Sequence, residues 1–204
     1  MKIIFCVPGN NFSNNFLVSW TKLIQYCNKN GIQAELSNGY TSIVHLARYA
    51  CMGIQVYDTA CKVCKDPFQG RETYDYIMWI DSDMVFEPEH FQKLLDAKKR
   101  VITGLYKVEQ NGEYACYKSN DNKRINNEYL KANSGVVETS FAGMGFMLIK
   151  SGVFEEMNFP YFTIPSRAEC VSETISFCHN LKEAKIQLHA HLDVIVGHEK
   201  STII

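Results

Sequence analysis

Three short apolar runs set the frame: residues 2–7 (KIIFCV), 76–80 (YIMWI) and 100–103 (RVIT). Each is too short for a core helix and predicts a strand, and the unbroken apolar run 76–80 predicts one buried on both faces. Between them, residues 15–28, 41–52 and 88–97 carry apolar positions at helical spacing. The first run stops at Pro8, Gly9 and Asn10, Gly31 closes the turn after the first helix, and residues 32–36 read as a second strand. This strand, helix, strand order predicts an α/β fold of the Rossmann-like kind, with a mixed, mostly parallel sheet flanked by helices.

Further along, the pattern is less uniform. Over 41–52 the helical spacing puts Ile43, Leu46, Ala47 and Ala50 on one face and His45, Arg48 and Tyr49 off it; residues 51–71 read as an irregular or helical connection. Residues 109–134, rich in Asn, Lys and Glu, predict a surface hairpin or a loop facing a substrate. Order returns over 139–149, interrupted by Gly143, Met144 and Gly145, where glycine marks either close approach of a ligand or a simple bulge. A short helix at 150–157, a proline-bearing loop at 159–168 and a helix at 172–184 capped by Ser172 follow. Residues 186–188 and 194–196 read as short strands, and the alternating His189, His191 and Asp193 suit a partly exposed edge. No repeat or linker interrupts the 204 residues, so a single domain is expected over 1–204.

Composition narrows this picture without redirecting it. With 46% hydrophobic residues the chain can bury one sizeable core. A formal net charge of -1 gives no global field for polyanions, although Lys98, Lys99, Arg100 and residues 118–131 are locally basic. Nucleic acid is thereby left as an acceptor to test rather than a partner the charge demands. No run is long enough to cross a bilayer, and residues 1–8 are too short and too early broken for a signal-peptide core, so a cytoplasmic protein with no membrane partner is expected. The eight cysteines then read as reduced thiols, and Cys61 and Cys64, lacking a second pair, as ordinary residues of one helix face.

The chemistry concentrates where the second buried run ends. Asp81, Ser82 and Asp83 follow Ile80 directly, placing two carboxylates at the carboxyl end of a strand. Open α/β sheets bind ligands there, and paired carboxylates suit a hard divalent cation that keeps positions open for phosphate oxygens.

The IDSD segment at 80–83 does not stand alone. It is joined by Gly104, Leu105, Tyr106 and Lys107, by FAGMGFMLIK at 141–150, SGVF at 151–154, VSETISFC at 171–178 and the closing Val196, Gly197 and His198. In order and spacing these resemble the nucleotide-diphospho-sugar transferases of the GT-A fold, especially the small bacterial and phage type, over most of the chain. The resemblance implies a glycosyltransferase that uses a nucleotide-diphospho-sugar donor, most readily a UDP-sugar, and Mn²⁺ or Mg²⁺. Asp83 and His198 would hold the metal, with Asp81 on the ribose or reaching the metal through water; an imidazole ligand favours Mn²⁺ over Mg²⁺. Arg48, Ser82, Gly143 and Gly145 would line the donor, with Pro8 at the nucleoside. Glu173 would be the catalytic acid on the acceptor side. Two positions depart from the pattern: Tyr49 stands where relatives carry Asn, and Thr174 where many inverting members carry Asp. The second leaves both inverting and retaining chemistry open. Among relatives the acceptors are glycans, proteins and modified DNA bases. The competing readings are a non-catalytic nucleotide-sugar-binding protein and a nucleotidyltransferase, which usually carries a basic glycine-rich loop that residues 8–15 lack.

Overall fold

The computed structural model describes residues 1–54, 65–108, 113–163 and 172–199. Nine strands form one sheet: β1 (Lys2–Pro8), β2 (Gln33–Gly39), β3 (Tyr76–Ile80), β5 (Val101–Leu105), β6 (Glu113–Lys118), β7 (Arg124–Asn126), β8 (Val136–Ala142), β9 (Phe146–Lys150) and β10 (Leu188–Ile195). Their spatial order is β2-β1-β3-β9-β5-β10-β8-β6-β7, and β4 (Met84–Val85) pairs separately with β11 (Gly197–His198). The pairings make β1, β2, β3, β5, β6 and β10 point one way and β7, β8 and β9 the other. The sheet is mixed and mostly parallel in strand direction, as the sequence pattern predicts.

Alternation along β1 explains how the helices attach. Ile3, Phe5 and Val7 face one cluster, with Phe16 and Leu23 of α1 (Asn14–Lys29) and Phe91 and Leu94 of α3 (Pro88–Asp96). Ile4 and Cys6 face the other, with Tyr49 of α2 (Val44–Cys51), Phe154 of α5 (Val153–Glu156) and Phe177 of α6 (Glu173–Glu183). Each such aliphatic or aromatic side chain contributes about 1.5–3 kcal/mol by burial. The helix starts are set locally: the Ser13 hydroxyl accepts from the Phe16 amide at 3.0 Å, and Pro88 opens α3 after Glu87.

Several expectations need correction. The apolar face assigned to α2 is not the buried one: Ala47, Arg48, Tyr49 and Cys51 are buried, whereas Ile43 is 43% exposed. The Tyr49 hydroxyl, at 2% residue exposure, donates to the Phe162 carbonyl at 3.1 Å and accepts from the Phe162 amide at 2.9 Å, so the ring can be buried without stranding its polar end. β10 is one eight-residue strand between β5 and β8, not a pair of short strands beside an edge, and His189 and His191 lie in its interior pairings. The 109–134 stretch contains the β6–β7 hairpin and the short helix α4 (Asn127–Ala132). Tyr114, inside the stretch read above as a surface hairpin or substrate-facing loop, is a buried packing residue, as are Tyr161 and Phe162 of the proline-bearing loop. Cys61 and Cys64 lie outside the described residues.

Candidate active site

β1, β3, β5 and β10 point the same way, so the segments that follow them converge at one margin of the sheet. They deliver Gly9, Asp81 to Asp83, Tyr106 with Lys107, and Gly197 with His198. Asp81 and Asp83 do not continue β3; they form a turn in which the Met84 amide donates to the Asp81 carbonyl at 3.1 Å. This turn sends the two carboxylates to different partners.

Asp81 faces inward. Its carboxylate accepts from both terminal nitrogens of Arg48, at 3.2 and 3.5 Å, while Arg48 Nε donates to Glu173 Oε1 at 3.3 Å. Arg48 is 3% exposed and its guanidinium lies 5.4 Å from the centre of the Trp79 ring. Burial works against its charge, but Asp81 and then Glu173 outweigh that penalty and hold its pKa above the ordinary arginine value. Glu173 reaches this cluster because it opens α6, with Ser172 as the capping residue.

Asp83 faces outward. Its Oδ2 lies 3.0 Å from His198 Nε2, and the other ring nitrogen, Nδ1, donates to the Lys107 carbonyl at 2.9 Å. The ring is held edge to face against Tyr106, 5.3 Å between centres. Backbone brings the pair together: His198 stands opposite Met84 in the β4–β11 ladder, and the Glu199 amide donates to the Asp83 carbonyl at 2.8 Å. The Glu199 carboxylate in turn accepts from the Ser13 hydroxyl and, at 2.5 Å, from Asn15 Nδ2. Glu199 is the residue that sequence reasoning missed, and its only signal was an acid directly after Val-Gly-His.

A divalent cation fits between Asp83 and His198. A six-coordinate ion at about 2.1 Å from each ligand places neighbouring ligands about 3 Å apart, the separation of Asp83 Oδ2 and His198 Nε2. Because Nδ1 is committed to a carbonyl, Nε2 faces the carboxylate in a way that suits a proton or a cation between them. Among the described residues no third His, Cys, Asp or Glu completes a cluster with them. Asp81 is turned to Arg48 instead.

The remaining expected donor residues have contacts of their own. A β-carbon on Gly143 would stand 1.9 Å from the Tyr106 hydroxyl, and one on Gly145 would meet the same ring at 3.0 Å. Both glycines are therefore required by Tyr106, whose ring is partly buried and whose pKa is pushed up by desolvation and by Asp81. Ser82 packs on Gly9, where a β-carbon would approach its hydroxyl to 2.5 Å, and Pro8 ends β1 beside them. His189, at the start of β10, lies at the opposite end of that strand from His198.

No family model matches this sequence, and no curated protein does. Solved structures do match. A197 from STIV aligns with 100% of this chain and 97% of its own, at TM-score 0.57 and 16% identity. GalNAc-T7, solved with UDP, GalNAc and Mn²⁺, aligns with 97% of this chain at TM-score 0.58 and 11% identity, over 43% of its own length. The catalytic domain of Drosophila β1,4-galactosyltransferase 7, in complex with xylobiose, covers 98% of this chain and 71% of its own at TM-score 0.51 and 12% identity. The chain has the GT-A fold. At such identities the likeness is one of fold, and the chemistry of the GT-A margin in this protein has to be argued from Asp81, Asp83, Arg48, Glu173 and His198 themselves. No helix among the described residues is long and apolar enough to cross a membrane.

Proposed function

We propose that this protein is a metal-dependent glycosyltransferase that moves a sugar from a nucleotide-diphospho-sugar donor to an acceptor hydroxyl or amine. The observation that carries the reading is the Asp83–His198 pair, set 3.0 Å apart at the carboxyl margin of the sheet, with the second imidazole nitrogen fixed by the Lys107 carbonyl. Charge supports it. Asp81, Asp83 and Glu173 against Arg48 amount to three carboxylates and one guanidinium, a formal -2 with neutral histidine. A net negative charge disfavours a bare diphosphate, and a bound cation would offset it.

Asp83 and His198 would hold Mn²⁺ or Mg²⁺, the imidazole favouring Mn²⁺. Such an ion, when bound, supplies charge neutralisation for the diphosphate leaving group. The protein residues do the rest. Arg48 uses three N–H groups on Asp81 and Glu173 and is 3% exposed, so it would serve the donor by fixing the Asp81 carboxylate for the ribose. Pro8 and Ser82 border the nucleoside end, and the Gly143 to Gly145 backbone with Tyr106 borders the donor sugar. In the transfer, the acceptor oxygen or nitrogen bonds to the anomeric carbon as the bond from that carbon to the phosphate oxygen breaks. The nucleoside diphosphate leaves and the acceptor proton passes to a base, for which Glu173 is the candidate. The neighbour solved with UDP, GalNAc and Mn²⁺ makes a UDP-sugar the first donor to test. The nearly end-to-end match with A197 supports the compact form of the fold.

The engagement of Glu173 by Arg48 favours a second reading, donor binding without turnover. Thermal unfolding with UDP-sugars, with and without Mn²⁺, tests the first, and release of UDP separates the two. A Mn²⁺-dependent rise in midpoint that disappears in Asp83→Asn is expected; a rise indifferent to metal and to Asp83 overturns the proposal. Binding without UDP release in the presence of varied acceptors would establish the binding protein.

A further inference from the structure

A cavity of about 780 Å³ opens between the β6–β7 hairpin, β8 and α6. It does not belong to the Asp83–His198 site. Along α6 the residues that line it, Ile175, Cys178 and Lys182, recur at spacings of three and four, whereas Glu173 stands two positions before Ile175 and so about 200° around the helix. Glu173 turns towards Arg48; the cavity lies on the other flank of α6.

Its chemistry is one-sided. Of the residues that line it, His179, Lys182 and Lys185 carry or can carry positive charge, and none is Asp or Glu, in a chain whose acids outnumber its bases by 22 to 21. The three lie along α6 and just beyond it, and all are exposed, so their charge is free to meet a ligand. The opposite wall is polar but uncharged, with the hydroxyls of Ser119 and Ser140 and the amide of Asn122, and the Tyr117 and Phe141 rings, 5.3 Å between centres, form its apolar part. The volume lies in the range of small-ligand sites, and Ile175 to Lys185 spans about 15 Å at 1.5 Å per residue. Hydroxyl and amide donors beside aromatic rings suit sugar rings, and the cations at one end suit an acidic group. Two lysines and one histidine are too few for the extended basic stripe of a nucleic-acid surface.

We propose that this cavity is a separate binding site for an anionic oligosaccharide. Its sugar rings lie between the β8 wall and α6, and its carboxylate or sulfate is held by Lys182 and Lys185. The site does not depend on the donor-site reading.

The test is calorimetric titration of the full chain with three tetrasaccharides: uncharged chitotetraose, carboxylated hyaluronan and sulfated chondroitin. Lys182→Ala/Lys185→Ala removes the cations, and Ser140→Trp fills the cavity from an exposed position; unchanged thermal midpoints certify both folds. At least one anionic probe should bind at least tenfold more tightly than chitotetraose. That advantage should vanish in the lysine variant, all binding should vanish in Ser140→Trp, and Asp83→Asn should change neither. Both probes carry glucuronate carboxylates and only the chondroitin carries sulfate, so equal binding assigns the contact to the carboxylate and tighter chondroitin binding shows that sulfate is held as well. The proposal is overturned if no probe binds, if the neutral sugar binds as well as the charged ones, if the variants bind like wild type, or if a single-stranded oligonucleotide alone shows the lysine dependence.

Discussion

Two acidic residues, two positions apart, sit in opposite environments. Asp81, 28% exposed, belongs to an ion cluster built around Arg48, which is 3% exposed, while Asp83 is 46% exposed and meets a histidine held by backbone. Removing one member of a buried ion group leaves an uncompensated charge in low dielectric; removing one member of an exposed pair leaves a charge that water can solvate. The same motif thus carries an internal strut on one side and an open ligand position on the other. A ligand can take the second without dismantling the fold.

The largest effect that could break this distinction is on stability. Arg48→Ala should cost about 3–5 kcal/mol, which in a chain of this size lowers the melting midpoint by about 6–20 °C; calorimetry reads it, and a loss no larger than that of an exposed arginine would show the cluster is no strut. Asp83→Asn should change the ligand-free stability by less than about 0.5 kcal/mol. It should also forfeit the Mn²⁺-dependent gain with UDP, about 2.7 kcal/mol at a hundred times the Kd. A smaller change tests what holds the open side. Glu199→Ala should weaken Mn²⁺ binding, followed by the loss of free-ion signal in electron paramagnetic resonance, by about 10–100-fold. Ser13→Ala should reproduce part of that loss, and the double variant should fall short of the sum, because both remove one contact. The last expectation concerns reactivity alone. Burial pushes the Cys51 thiol up to about 12 and the Cys6 thiol well above its ordinary value. At pH 8 on the order of one Cys51 in ten thousand is thiolate. Neither should alkylate in the native protein, and both should become labelled in Arg48→Ala if the cluster keeps that region closed.

How much of this was legible in the sequence follows from what each residue's neighbours are. β3 occupies Tyr76–Ile80, the run predicted from its apolar continuity, because a strand covered on both faces needs no alternation to be recognised. The ends of α1 were legible to within one residue through local capping and turn chemistry. Arg48 and Tyr49 misled the reading of α2, since a helical pattern scores charge and hydroxyl as solvent-facing. Their partners, Asp81, Glu173 and Phe162, lie at least 33 positions away. His189, His191 and Asp193 concealed a central strand in the same way: an interior strand of a mixed sheet can carry polar side chains where its faces are partly open. Gly143 and Gly145 were legible as places of close approach, but the approaching group in the fold is Tyr106, which no local pattern pairs with them.

The two-residue β4–β11 ladder also fixes an order of events. His198 follows Asp83 by 115 positions, so at about 5–20 residues per second a ribosome takes several seconds or more to supply the second half of the pair after the first. During that interval β1, β3 and Asp83 already exist, yet a cation would find one carboxylate in place of a two-ligand seat. Assembly of the site therefore waits for the whole segment between Asp83 and His198, and it records that the strands from β5 to β10 have taken their places.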